Sequence, residues 1–138
     1  MYKRHFRPFF TIVSAALAIG SIQTAVAQSL KSGEQVYKEV CSTCHATGVA
    51  NAPKFGDKAM WKPLIAEGQP VLTAHAWVGV RGMPAKGGRD DLTLEEFARA
   101  AAFMARAAGG TWKDPDAKLL ARIAGEEKKR RANMNKAK

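Results

Sequence analysis

Apolar positions along this chain recur with the period of a helix, and no stretch alternates convincingly as a strand would. Gly33, Val36, Tyr37 and Val40 share one face of a first helix that starts near Ser32, where Ser32 and Gln35 stand in capping-box spacing. Gly48, Asn51, Pro53 and Gly56 then predict a loop. A short helix is expected over Met60 to Glu67, with Pro63 in its first turn and Gly68 ending it, and another over Val71 to Val80. Gly79, Gly82, Pro84, Gly87 and Gly88 argue against regular structure around Met83. The clearest helix opens with Thr93 as N-cap and Glu96 three residues later, carries Leu94, Phe97, Ala98, Ala101, Met104 and Ala105 on one face, and stops at Gly109-Gly110. Asp114-Pro115 reads as the start of a short amphipathic helix striped by Leu119, Leu120 and Ile123. The residues after Glu126 include no aromatic or β-branched side chain and are expected to fray or stay disordered. The fold class is all-α.

The first residues follow a different logic. Lys3, Arg4 and Arg7 precede an apolar run from Phe9 to Ile19, and Ala25-Val26-Ala27 forms a small-x-small cleavage pattern. Residues 1–27 therefore read as a signal peptide, which directs the chain to a bacterial periplasm. The apolar run is short against the roughly 20 residues a bilayer span needs; an uncleaved anchor in the inner membrane is the alternative. No cysteine follows the run, which argues against a lipoprotein anchor. What remains divides into a domain over 28–110 and a C-terminal extension over 111–138. One small domain of this size can only just build its own core.

The formal charge is +10, of which Lys3, Arg4 and Arg7 would leave with the signal peptide. The extension concentrates Lys128, Lys129, Arg130, Arg131, Lys136 and Lys138 against Glu126 and Glu127. So basic a protein invites a nucleic-acid reading. An exported chain rarely meets nucleic acid, however, and an acidic redox partner or an anionic membrane surface is the better inference. A solubilising end with no partner is an equal alternative for the extension.

The chemistry centres on Cys41-Ser42-Thr43-Cys44-His45, which holds both cysteines of the chain. Cys-x-x-Cys-His is the pattern of covalent haem attachment: two thiols three positions apart can add to the two vinyl groups of one haem, and the adjoining histidine then reaches the iron. One imidazole nitrogen binds iron, and the other needs an acceptor that holds the tautomer. Structural zinc needs four ligands, and no second Cys or Cys/His pair exists to complete the set. A redox dithiol belongs at a strand-to-helix step, which this region lacks. A disulfide across two intervening residues would close almost no loop.

A haem bound through His45 needs a second axial ligand or an open site. Met83, between Gly82 and Pro84 in a loop able to cross a porphyrin face, is the favoured candidate; His75 and no protein ligand are the others. Met104 falls on a helical core face, Met60 adjoins Trp61 as a gap-filler, and Met134 lies in the basic tail. His75, inside an expected helix, is more simply a hydrogen-bonded or exposed histidine.

The chain resembles the class I c-type cytochromes, most closely the cytochrome c5 group. The resemblance runs through Gly33-Glu34-Gln35-Val36-Tyr37, the haem motif, Ala52-Pro53-Lys54, Gly56-Asp57, Trp61, Gly82-Met83-Pro84-Ala85-Lys86-Gly87-Gly88 and Leu92-Thr93. It implies about four helices wrapped around one haem c, with the first and last helices of the domain crossing closely at Gly33 and Tyr37 packed near Phe103. It implies that the Pro53 carbonyl accepts from His45. Trp61 would sit beside the haem, its indole N–H on a propionate, with plain core packing as the other reading. The extension after Gly110 departs from the family pattern. The function implied is single-electron transfer between a quinol-oxidising complex or dehydrogenase and a terminal oxidase or reductase, without bond-making catalysis. Lys54, Lys58 and Lys86 are candidates to ring the haem edge and meet an acidic partner surface, with ordinary solvation as the alternative. A haem-bearing subunit of a larger complex, or a ligand-binding or peroxidatic protein with a displaceable Met83, are the remaining readings. Monomer is the expected oligomeric state.

Overall fold

The computed structural model describes residues 29–137, so the expected signal peptide over 1–27 lies outside the described residues. The first helix, α1, begins as the spacing predicts: the Ser32 hydroxyl accepts the Gln35 N–H (3.2 Å) and the Gln35 side chain accepts the Ser32 N–H (2.8 Å). α1 is α-helical over Gly33–Val36, widens into a π turn over Tyr37–Cys41, and returns to α geometry over Ser42–His45.

Helix α2 spans Lys58–Ala66, two residues earlier than the sequence pattern suggests, because the Asp57 carboxylate caps the Met60 N–H at 3.0 Å. Pro63 is consequently inside the helix rather than in its first turn, and it is exposed, so the carbonyl it leaves unpaired can meet water. Gly68 (φ +91°) turns the chain directly into α3, Gln69–Val78, which starts with Pro70 in its first turn; the expected start at Val71 overlooked that proline. Helix α4, Leu94–Ala107, has the Thr93/Glu96 capping box foreseen in the sequence.

The largest departure is α5. The expected short helix and frayed tail are one helix of 20 residues, Ala117–Lys136, capped by Asp116 rather than Asp114. Two causes extend it. Ile123 is fully buried with Ala74 and Ala98, with Leu119 and Leu120 packed beside it, so the helix is held by tertiary contact. Further along, Lys129 pairs with Glu126 and Arg131 with Glu127 at helical spacing, which offsets repulsion within the basic run.

The main core joins Val36, Val40 and Cys41 of α1 to Trp61, Trp77, Val78, Leu92, Phe97, Ala100, Met104 and Ala108. α1 crosses α4 at Gly33, where an added Cβ would lie 2.7 Å from the Arg99 carbonyl carbon and 3.1 Å from Phe103 Cβ, and closer still to the Arg99 oxygen. The crossing is closed by Glu96, a buried carboxylate that accepts the Thr93 N–H (3.0 Å), the Thr93 hydroxyl (2.8 Å) and the Lys31 N–H (3.1 Å). These donors, Lys31 and then Thr93, hold the Glu96 carboxyl below its ordinary range.

Two outcomes follow from this crossing. Gly33→Ala meets backbone rather than a movable side chain, and is expected to lower unfolding free energy by about 1–3 kcal/mol in urea titration. Glu96 has its folded value depressed, so its contribution is complete above the unfolded carboxyl value and fades as pH falls through the folded one. Glu96→Gln is expected to cost about 1 kcal/mol at neutral pH, and urea unfolding across an acid series should show the deficit shrinking toward low pH.

Candidate haem site

The π turn ends at Cys41, the residue that opens the Cys-x-x-Cys-His motif. Four positions separate Cys41 from His45, so the two share a helix face; both are buried, and Cys44 is half-buried. Burial pushes the Cys41 thiol up to about 11, so at neutral pH it is a protonated thiol, the opposite of what a reactive dithiol needs. Among the described residues, no three His, Cys, Asp or Glu side chains gather into a metal-binding group.

The loop after His45 folds back onto the helix. Gly48 (φ +84°) reverses the chain, and an added Cβ there would also come within 2.9 Å of the Lys54 side chain. The Phe55 N–H then donates to the His45 carbonyl at 2.7 Å. Phe55 stacks on Tyr37 with centroids 4.3 Å apart, and both meet Phe103 of α4, at 5.4 Å from Phe55 and 5.6 Å from Tyr37. Burial raises the Tyr37 phenol.

This return brings two successive carbonyls to two rings. His45 Nδ1 lies 2.8 Å from the Pro53 oxygen; a carbonyl only accepts, so Nδ1 carries the proton and Nε2 keeps its lone pair. Trp61 Nε1 donates to the Lys54 oxygen at 2.7 Å. The Trp61 ring is 6.2 Å from that of His45, and Trp61 is only 3% exposed. Its N–H goes to the backbone here, and its ring packs in the main core. Sequence reasoning missed the Lys54 carbonyl, since a backbone acceptor has no side-chain signature.

Met83 sits at the end of a two-residue turn. The Met83 N–H donates to the Val80 oxygen (2.9 Å) and the Val80 N–H to the Met83 oxygen (3.1 Å), a small bridge in the segment expected to be irregular. The half-buried Met83 side chain packs against the core cluster that holds Cys41, Trp61 and Trp77. The other candidates lie elsewhere. His75 Nδ1 is 3.3 Å from a Glu67 carboxylate oxygen, a close polar contact on the outside of the core. Met104 is core as expected, Met134 is exposed, and Met60 is 38% exposed rather than filling a gap. Of the lysines, Lys86 lies over the Trp77 ring at 5.0 Å, and Lys54 and Lys58 are exposed.

A paired thiol motif, an imidazole with its free nitrogen selected by hydrogen bonding, and a thioether on the same cluster form a donor set that suits a covalently held haem. The family model described as "Cytochrome C oxidase, cbb3-type, subunit III" matches residues 28–104. Cytochrome c-555 of Chlorobaculum tepidum is 41% identical over 97 residues, covering 67% of this chain and 88% of that protein. The chain belongs to the class I c-type cytochromes. Cytochrome c5 of Azotobacter vinelandii is 39% identical to this cytochrome over 69 residues, 49% of this chain and 83% of the relative. A solved electron transfer complex of nitrite reductase with cytochrome c contains a chain 43% identical to it, with a TM-score of 0.53 over 55% of this chain and 93% of that one. The cytochrome carries one covalently attached haem c and is an electron carrier rather than an enzyme.

The two clamped carbonyls make the site sensitive to its tryptophan. Trp61→Phe keeps an aromatic side chain but removes the indole N–H and part of the packed volume, leaving the Lys54 oxygen with the Asp57 N–H (3.1 Å) alone, and is expected to lower unfolding free energy by about 2 kcal/mol in urea, with haem still attached.

Proposed function

We propose that this cytochrome is a periplasmic single-electron carrier in which Cys41 and Cys44 form the thioethers and His45 and Met83 are the axial ligands. The carrying observation is the Nδ1–H bond from His45 to the Pro53 carbonyl, which leaves Nε2 as the ligating atom and increases its basicity. The haem supplies a one-electron iron couple, which Met ligation and burial shift to higher potential than two nitrogen ligands would give. The protein's part is to attach, orient and exclude water. His45 holds one tautomer, Trp61 packs beside it, and the Val80–Met83 turn limits where the thioether can go. With His45 and Met83 both given to the iron, the haem would be left to exchange electrons without binding a substrate.

An electron from a quinol-oxidising complex or dehydrogenase would pass to a terminal oxidase or reductase; the solved complex with nitrite reductase supports a reductase as acceptor. Exposed Lys54 and Lys58 suit an acidic docking surface. Periplasmic location rests on the N-terminal export pattern. A haem-bearing subunit of a larger redox complex is the second reading, favoured by the oxidase-subunit description of the matching family; co-purification with a membrane complex through high salt would decide for it.

Met83→Ala tests the ligand set. The purified holoprotein variant is expected to lose the Met–iron absorption band, to have a lower reduction potential and to bind carbon monoxide when reduced. Carbon monoxide binding by the reduced wild type at neutral pH would overturn Met83 ligation.

A further inference from the structure

Helix α5 lies along α3, and their contacts ascend in step. The Gln69 side chain donates to the Lys113 carbonyl just ahead of α5 (2.7 Å), Ile123 packs with Ala74, and Arg130 Nη2 reaches the Gly79 carbonyl at 3.4 Å. Arg130 stands seven residues after Ile123, two helical turns along the same face, so the burial of Ile123 aims Arg130 at the C-terminal end of α3. Its Nε is shut off from solvent and has no hydrogen-bond partner among the described residues. A guanidinium held half-buried in this way, with no carboxylate within ion-pair distance among the described residues, is a cost that ordinary surface solvation would avoid.

The group it reaches is not a spare carbonyl. The Gly79 oxygen belongs to the peptide whose other end is the Val80 N–H, and that N–H donates to the Met83 carbonyl at 3.1 Å. One planar peptide is therefore gripped on both sides, by Arg130 at its oxygen and by Met83 at its nitrogen. Gly79 has no room for a side chain: with φ +100°, an added Cβ would lie 3.1 Å from the Ala85 nitrogen and 3.3 Å from the Met83 oxygen.

We propose that Arg130 is a positioning residue for Met83: the C-terminal helix braces the Gly79–Val80 peptide and so holds the methionine-bearing turn closed. The inference rests on Met83 being the second axial ligand. It gives the basic extension a role inside the molecule, with Arg130 as its functional contact and the neighbouring Lys129 and Arg131 paired along the helix.

The test uses imidazole, which competes with a methionine ligand for ferric haem, on full-length holoprotein. Loosening the turn raises the fraction of protein with the thioether displaced, and apparent affinity rises in proportion to that fraction. Arg130→Met keeps the apolar stem and loses the donor; about tenfold tighter imidazole binding is expected, the scale of one hydrogen bond from a charged donor. Arg130→Lys should recover part of the wild-type value, Arg131→Ala should leave it unchanged, and far-UV circular dichroism should show the helices retained in each. In a Met83→Ala background the effect of Arg130→Met should vanish. If Arg130→Met binds imidazole as wild type does while Met83→Ala binds it more tightly, the brace is wrong and the ligand reading stands. If Met83→Ala itself leaves imidazole affinity unchanged, Met83 is not the ligand and the brace falls with it. An equal effect of Arg130→Met with and without Met83 would also overturn the brace.

Discussion

A single hydrogen bond, from His45 Nδ1 to the Pro53 carbonyl, sets the terms for the rest of this molecule. A histidine at the end of a helix can rotate and can protonate on either nitrogen; a ligand can do neither freely. Giving one nitrogen a backbone acceptor decides the tautomer, and the loop over residues 46–57 exists in its folded-back form to deliver that acceptor. Gly48 provides the left-handed turn, Phe55 the return bond to the helix, and the stack of Tyr37, Phe55 and Phe103 binds the loop to α4. Because the next carbonyl, that of Lys54, is taken by Trp61, the same two-residue segment also orders the ring beside the histidine.

The Met83 turn is built differently. Met83 comes from a short turn whose hydrogen bonds are internal, so its position depends on what the turn leans on. α3 leads into it, the Ala85–Gly88 turn leads out of it with Gly87 against Val40 of α1, and α5 lies alongside α3. The His45 side is held by bonds from two rings to successive carbonyls of one loop, whereas the Met83 turn takes its place from the elements it leans on.

Much of this was legible from local spacing. Cys41, Cys44 and His45 are close in sequence, and caps such as Ser32/Gln35 and Thr93/Glu96 are satisfied within one turn, so their chemistry does not wait for the fold. The role of Gly33 and the neighbourhood of Tyr37 and Phe103 came through family resemblance, and the crossing found agrees with both. The partner of the Trp61 N–H was not legible, because an indole N–H has no preference written in the sequence for a propionate over a carbonyl seven residues back. The extension misled for the opposite reason: its polar, charged residues look unstructured alone, and only Ile123 entering the Ala74 and Ala98 surface makes the helix worthwhile.

By itself, then, the sequence determined an all-α chain with one haem-attachment motif, a histidine candidate within that motif and a short menu for the second ligand. Those are properties of residues within a few positions of one another, where helical geometry alone decides what meets what. The tertiary structure decided which carbonyl holds His45, that the Trp61 N–H goes to the backbone, that His75 lies against Glu67, and that the extension returns to place Arg130 at the Gly79 carbonyl. Each of these joins groups whose meeting depends on how the chain turns back on itself, and backbone acceptors and packing surfaces carry no mark in the sequence until the chain has folded around them.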